Sequence, residues 1–246
     1  MMNITPVVKQ LLIINIIFFI GTQFVPIAET YFALYYVENP AFKAWQPFTH
    51  MFMHGNLMHI AFNMFALYSF GSNLEYIWGS KKFLFFYLSC GLGAALIHTA
   101  ANYYQFHQGL NVLIDNGYNK TEILKILAEG KYDQQWMQVL GQSDFSHFIQ
   151  SYMVTAVGAS GAIYGLLAAF AFMFPNAELL LFFIPVPVKA KYFVPILVLL
   201  DLFSGITGSS VMGGGIAHFA HVGGALFGIL MVWYWKRNQF NKNRWN

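Results

Sequence analysis

Six long apolar segments, joined by polar loops, run along this chain of 246 residues and restrict the folds that it can adopt. Most of them approach the roughly 20 residues that a helix needs to cross a bilayer. Only 9% of the residues are charged, against about 25% in a soluble domain. The chain is therefore predicted to be an all-α, multi-pass membrane protein. The segments lie at about Val7 to Pro26, Leu57 to Ile77, Phe83 to Tyr103, Thr155 to Pro175, Tyr192 to Ile206 and His218 to Trp235.

The basic residues indicate how these spans are oriented. With six spans, both termini lie on the same side of the membrane. Lys and Arg are enriched in cytoplasmic loops, so we expect both termini to be cytoplasmic, in a bacterial inner or plasma membrane. A net charge of +3 fits such loops beside lipid and gives no reason to expect a nucleic acid partner. The side that holds both termini carries most of the 13 basic residues, namely Lys9, Lys81, Lys82, Lys189, Lys191, Lys236, Arg237, Lys242 and Arg244.

One polar loop, at about residues 105–150, is too long to be a simple turn between the third and fourth spans. Within it, the stretch from Thr121 to Leu127 has helical periodicity, with Thr121 as a candidate N-cap. We expect a single membrane domain over residues 1–246, with this loop as an external insertion that contains about two short helices.

Ser160 stands at the predicted start of the fourth span, within Gly158-Ala159-Ser160-Gly161. A serine hydroxyl is a weak nucleophile without a neighbouring base, and small neighbours would let a substrate carbonyl approach it. Its backbone N–H, at the start of a helix, has no intrahelical acceptor and can face an oxyanion. Taken alone, however, this motif is better explained as a small-residue packing face.

His221 lies at the start of the sixth span, and an ionisable residue within a span is a functional candidate. Glycine pairs of the Gly-x-x-x-Gly type permit close helix approach, and two such faces would bring His221 within hydrogen-bond reach of Ser160. The helical phase places His221 nearer to the glycine face than His218, which we expect to stay near water. The alternative is a histidine bonded to a carbonyl in a helix bundle. The glycine pairs are Gly161 with Gly165, and Gly224 with Gly228.

A third polar group surrounds the start of the second span. His59 and Asn63 are four residues apart and share a helical face, so both could donate hydrogen bonds to a developing oxyanion. His50 and His54 are more simply explained as anchors of the span and of the loop before it. Metal binding is the alternative, but the region has no His-Glu-x-x-His motif and no carboxylate that would complete a zinc site. We therefore expect no metal and no cofactor.

No carboxylate can be placed beside His221 from the sequence. The acids at membrane depth are Asp201, in the fifth span, and Glu75, near the end of the second. A Ser–His dyad is therefore the simpler interpretation. Tyr164, four residues after Ser160 on the same face, could stack against the ring of His221, although ordinary aromatic packing explains it as well.

Together these motifs resemble the rhomboid intramembrane proteases, and the resemblance covers nearly the whole chain. The motifs are short, but they follow one another in the family's order, each in its expected span. The resemblance implies a six-helix rhomboid-like bundle with Ser160 as nucleophile and His221 as base. It implies an oxyanion hole formed by His59, Asn63 and the Ser160 N–H. The matching residues are His54, His59, Asn63, Gly158, Ser160, Gly161, Tyr164 and His221.

The resemblance also implies a reaction and a substrate class. The reaction is hydrolysis of a peptide bond in or beside a membrane-spanning segment, through an acyl-enzyme. Substrates would be single-span or other transmembrane proteins that enter from the bilayer near the fifth helix, under a flexible cap at Gly205 to Ala217. Many members have Trp-Arg in the first loop where this chain has Trp45-Gln46, so the anchoring of that loop is expected to differ.

Two other functions compete with proteolysis. A catalytically inactive rhomboid-like protein could bind and escort membrane clients, but the presence of both Ser160 and His221 argues against it. A transporter could use polar groups at mid-membrane, but the sequence has no internal repeat and no paired broken helices.

Overall fold

The computed structural model describes residues 4–181, 184–208 and 217–242, and within these ranges the chain is almost entirely helical. A 3₁₀ turn at His50–Phe52 and a π-helical turn at Leu67–Gly71 interrupt the α-helices. The helices are α1 (Pro6–Phe24), α2 (Ile27–Phe32), α3 (Gln46–Thr49), α4 (Leu57–Ala66), α5 (Ser72–Trp78), α6 (Ser80–Asp115), α7 (Lys120–Ala128), α8 (Gln135–Met153), α9 (Ser160–Met173), α10 (Ala190–Thr207) and α11 (His218–Lys242), with two strands, β1 (Glu178–Leu181) and β2 (Ile184–Lys189), between α9 and α10.

The predicted all-α membrane fold is confirmed. By length and composition, α1, α6 and α10 could each cross a membrane, and α9 is a shorter apolar helix. The predicted second span is built from α4, the π-helical turn and α5. The antiparallel hairpin of β1 and β2, in which Glu178 pairs with Lys189, was not predicted. Proline at positions 185 and 187 removes backbone donors and disfavours a helix there, which explains why the chain is extended.

The predicted insertion contains two helices, one of them longer than expected. Helix α6 continues past the third span as far as Asp115, and α7 and α8 follow it. The predicted N-cap Thr121 is wrong, because the side chain of Asn119 accepts the hydrogen bond from the Thr121 N–H at 2.8 Å. A separate apolar cluster holds the insertion on α6, with Phe106 stacked on Phe148 at 4.9 Å between ring centroids. The insertion is therefore packed against the membrane domain and not a loose loop.

Helices α9 and α11 approach each other through glycine, as the Gly-x-x-x-Gly pairs predicted. A Cβ placed on Gly224 would lie 1.8 Å from the Gly161 carbonyl oxygen, and one on Gly228 would lie 2.6 Å from that of Gly165. No residue with a side chain fits at such distances. This contact fixes the start of α9 against the start of α11, which are the two places where Ser160 and the predicted base lie.

Basic and aromatic side chains mark one end of the bundle. Lys82 lies 4.1 Å above the ring of Trp235, and Lys236 lies 5.2 Å above the ring of Phe172. This end therefore contains the start of α6 and the ends of α9 and α11. At the same end, Glu75 accepts the first backbone N–H groups of α1 at 2.9 Å, which satisfies donors that a helix start leaves free. The starts of α9 and α11 lie at the opposite end.

Candidate active site

The side chains of Ser160 and His221 meet at the junction of α9 and α11. His221 Nε2 lies 2.8 Å from Ser160 Oγ, which is hydrogen-bond distance. Ser160 is the first residue of α9, so its backbone N–H has no intrahelical acceptor and points out of the helix start. The imidazole is largely enclosed, with 13% of the side chain exposed. A hydroxyl and a base are thus held in contact beside the first backbone N–H of a helix.

Tyr164, one turn along α9, forms one wall around the imidazole. Its ring stacks on the His221 ring with the centroids 4.1 Å apart and the planes at 12°. This is the stacking that the spacing from Ser160 predicted. The Tyr164 hydroxyl donates a hydrogen bond to the Asp201 carboxylate. The ring and the hydroxyl of one residue therefore contact both the predicted base and the acid beside it.

The structure places a carboxylate beside His221, where the sequence alone could place none. Asp201 of α10 places Oδ1 3.1 Å from His221 Nδ1 and 2.6 Å from His218 Nδ1. The only hint in the sequence was a charged residue within a span, since such residues are rare unless they have a partner or a function. Which face of α10 meets α11 depends on tertiary packing, which the sequence pattern of α10 does not reveal. His218 contacts Asp201 and is only 11% exposed. It therefore does not stay in open water, as the sequence had suggested.

Of the predicted oxyanion residues, His59 of α4 lies close to Ser160 on the other side of Gly158. Gly158 has φ 125° and donates its N–H to the His50 carbonyl at 2.9 Å. A Cβ on Gly158 would lie 2.7 Å from His59 Nε2 and 3.6 Å from Ser160 Oγ. The missing side chain therefore leaves room for the His59 ring next to the serine. Glycine suits this position for its backbone angle as well.

Asn63 lies one turn further along α4 and is 6% exposed. Its Nδ2 is buried and has no hydrogen-bond acceptor among the residues that the structure describes. Buried donors without a partner are rare in proteins, and each needs an explanation. A role as a hydrogen-bond donor to a transient oxyanion is one such explanation.

His54 lies in the loop before α4, and its ring centroid is 5.1 Å from that of His59. Burial, and secondarily the neighbouring His59, lowers the pKa of His54 to about 4, so this ring is neutral at physiological pH. Neither ring nitrogen has a hydrogen-bond partner in the described ranges. Within those ranges the structure contains no group of three or more His, Cys, Asp or Glu side chains suited to a metal ion. His54 is placed to support the His59 ring by packing.

Gln46 and Trp45 anchor the first loop through hydrogen bonds to backbone groups. Gln46 is fully buried. Its Oε1 accepts the N–H of Lys43 at 3.1 Å, and its Nε2 donates to the carbonyl of Ala41 at 3.0 Å. The adjacent Trp45 donates its indole N–H to the Tyr31 carbonyl at 2.9 Å. A neutral amide therefore ties the loop to itself, directly before the turn that carries His50.

A cavity of about 420 Å³ lies between α6, α8, α10 and α11 and reaches His218. Gln105 bridges its walls, because its side chain donates to the Gly205 carbonyl at 3.3 Å and its Oε1 is 3.4 Å from the hydroxyl of Ser151. Most of the expected cap, residues 209–216, lies outside the described residues. Polar lining residues include His98, Asn102, Gln105, His147, Ser204 and His218.

Comparison with known proteins points to one family. A family model described as the Rhomboid domain matches residues 41–114 and 135–238. Rhomboid protein 1, mitochondrial, of Saccharomyces cerevisiae is 26% identical over 74% of this chain and 39% of its own length. An uncharacterized mitochondrial rhomboid protein of Schizosaccharomyces pombe is 30% identical over 78% of this chain and 52% of its own length. The mitochondrial presenilin-associated rhomboid-like protein of Bos taurus is 28% identical over 87% of this chain and 46% of its own length.

The chain thus spans about half the length, or less, of these relatives. The match to the family model is interrupted between residues 114 and 135, a gap that contains α7. The parts that match include α4, α9, α10 and α11, the four helices that surround Ser160.

Proposed function

The chain belongs to the rhomboid family, and on that premise we propose that it is an intramembrane serine endopeptidase that cleaves transmembrane protein substrates. The observation that carries the proposal is the 2.8 Å contact between Ser160 Oγ and His221 Nε2 at the start of α9. A nucleophile within hydrogen-bond reach of a base is the arrangement that covalent catalysis requires.

In the proposed reaction, Ser160 Oγ attacks the carbonyl carbon of the scissile peptide bond while its proton passes to His221 Nε2. The tetrahedral oxyanion then accepts hydrogen bonds from the Ser160 N–H, the His59 ring and Asn63 Nδ2. His221 returns the proton to the leaving amine, the C–N bond breaks, and an acyl ester remains on Ser160. A water molecule, deprotonated by His221, attacks the ester carbonyl; the bond to Ser160 Oγ then breaks, His221 returns the proton to Oγ, and the second product leaves as a carboxylic acid.

The depth of the site fits a substrate within the bilayer. Helix α9 has 14 residues and is about 21 Å long, which is shorter than a hydrocarbon core of roughly 30 Å. If its basic end lies at the membrane surface, Ser160 lies below the opposite surface. The polar cavity beside His218 offers water a path to this depth. Substrates would enter from the lipid beside α10.

The protein is an integral membrane protein, and we propose that both of its termini face the cytoplasmic side. The basic end that Lys82 and Lys236 mark fits this orientation and leaves Ser160 towards the external side. The relatives are named as mitochondrial proteins. Our expectation of a bacterial inner or plasma membrane therefore finds no support in the comparisons.

Purified protein in proteoliposomes, incubated with a panel of single-span substrates, tests the proposal. The wild type should cleave at least one substrate, and Ser160→Ala should fold normally and cleave none. A fluorophosphonate probe should label native protein at Ser160 but neither heat-denatured protein nor His221→Ala, because an isolated serine is unreactive. A wild type that binds substrates but neither cleaves nor labels would instead be a binding protein of the inactive type.

A further inference from the structure

The Asp201 carboxylate lies where three helices meet and is 1% exposed. One oxygen, Oδ1, contacts Nδ1 of both His218 and His221, and the other accepts the hydroxyl of Tyr164. A buried carboxylate costs several kcal/mol in desolvation unless it is fully hydrogen-bonded. Here Oδ1 has two donors, both from the start of α11, and Oδ2 has one donor, from α9. This cluster contacts the dyad directly, although a dyad mechanism assigns it no role.

The contacts define which nitrogen of His221 carries a proton. An ionised carboxylate only accepts hydrogen bonds, so the neutral imidazole that contacts it must carry its hydrogen on Nδ1. Nε2 is then unprotonated and free to accept the proton of Ser160, 2.8 Å away. Without an acceptor at Nδ1, the ring could adopt the other tautomer, in which Nε2 carries the hydrogen and cannot act as a base.

We propose that Asp201 is a positioning residue that fixes the tautomer and the ring orientation of His221, with Tyr164 and His218 holding its carboxylate in place. This inference rests on the proposed function, in which His221 is the base. It also adds a consequence of position, because Asp201 belongs to α10 while Ser160 and His221 belong to α9 and α11. The base is therefore correctly oriented only while α10 is packed against α11.

Two substitutions separate the parts of this role. Asp201→Leu keeps a similar volume but removes every acceptor, and kcat should fall by at least about 100-fold because the tautomer of His221 is no longer fixed. Asp201→Asn removes the charge and can present its amide N–H₂ to His221 Nδ1, which stabilises the wrong tautomer, so its kcat should fall at least as far, up to about 10⁴-fold. KM should change little in both, because Asp201 does not face the substrate. A purely structural role predicts instead a lower Tm with nearly wild-type kcat in the variants that fold.

Glu75→Gln is the matched control, since Glu75 is also a buried carboxylate, 2% exposed, but caps α1 at the far end of the bundle. It should lower the Tm and leave kcat nearly unchanged. If Asp201→Leu fails to fold, Asp201→Asn and Tyr164→Phe still test the inference, because the latter keeps the stacked ring and removes only the hydroxyl that binds Asp201. Wild-type kcat in both folded variants would overturn the inference.

The tautomer can be observed without any substrate. In ¹⁵N NMR of histidine-labelled protein, with the His221 signals assigned by comparison with His221→Ala, the wild type should show the hydrogen on Nδ1. Asp201→Leu should show it wholly or partly on Nε2. An unchanged tautomer in Asp201→Leu would overturn the inference even if the wild type cleaves its substrates. If the wild type cleaves nothing but the tautomer still changes between the wild type and Asp201→Leu, the proposed function fails while the positioning contact stands.

Discussion

Two pairs of helices surround Ser160, and they are packed in different ways. The inner pair, α9 and α11, carries the serine and His221 and meets through glycine backbones, with a Gly224 Cβ position only 1.8 Å from the Gly161 oxygen. The outer pair, α4 and α10, carries the proposed oxyanion residues and Asp201. Its outer faces present large apolar side chains, such as Met58 at 59% and Phe203 at 56% exposure, which suit contact with lipid.

From this difference we expect that α9 and α11 must keep a fixed separation, whereas α4 and α10 can adjust. The distance between Ser160 and His221 depends on backbone contacts between α9 and α11 that leave no space for a side chain. The groups that we propose to stabilise the oxyanion and orient the base lie on helices with one face towards lipid, which a substrate entering from the bilayer would meet first. Changes in the inner pair should therefore affect every reaction of Ser160. Changes in the outer pair should depend on the substrate.

In the outer pair, a large loss is expected at the proposed oxyanion residues of α4. His59→Ala and Asn63→Ala should each lower kcat by roughly 10²–10³-fold, because each removes a donor to the oxyanion, while KM changes little. Steady-state kinetics with one cleaved substrate measures both parameters. Met58→Ala on the same helix, with its exposed side chain, is the control and should behave as wild type. Weaker binding with unchanged kcat would show that these residues hold substrate and not the oxyanion.

A single methyl group should disrupt the inner pair. Gly224→Ala would force α9 and α11 apart by more than about 1 Å to relieve the contact with Gly161, and a displacement of that size can cost about 100-fold in rate. Both substrate cleavage and fluorophosphonate labelling should fall. Gly21→Ala is the matched control, since a Cβ there meets nothing within 4 Å. If Gly224→Ala labels at the wild-type rate, the inner pair is not rigid.

The inner pair could be predicted from the sequence because its signals are local. Glycines at a spacing of four define a face, and the face defines which helices can approach closely. The same reasoning placed Tyr164 against His221 and His59 with Asn63 on one side of α4. These are relations within one helix, or between two helices that share one kind of contact.

The outer pair could be predicted only in part. Asp201 was visible as an acid within a span, but the face of α10 that turns inwards is set by its packing on α9 and α11. Its apolar residues surround the helix on most sides and show no clear face. The hairpin of β1 and β2, and the cap at Asn119, were missed because turn chemistry depends on single polar or proline residues that no periodic pattern highlights.

A smaller loss is expected from His218→Ala. His218 contacts Asp201 Oδ1 at 2.6 Å, but Asp201 keeps His221 and Tyr164 as partners without it. Loss of one such hydrogen bond should lower kcat by less than about tenfold. The decisive comparison is a double-mutant cycle, because a residue that acts only through Asp201 should have no further effect in Asp201→Leu. A full additional loss in that background would mean that His218 contacts the substrate or the reacting atoms itself.

The smallest effect, and the only gain, is expected on the lipid face of α10. Phe203→Ala removes a side chain that is 56% exposed and should preserve or raise the rate at which transmembrane substrates are cleaved, because entry beside α10 becomes easier. Labelling by a small soluble probe should not change, since the probe needs no lateral entry. Phe85→Ala on α6 is the same substitution at 61% exposure, away from the entrance, and should alter neither rate.

Because α10 also carries Asp201, the two readouts separate the possible outcomes. Faster cleavage with unchanged labelling means that α10 opens for substrate while Asp201 stays in place. A loss of both in a folded variant would mean that loosening α10 withdraws the carboxylate from His221, and that the outer helix must stay closed for the inner pair to react.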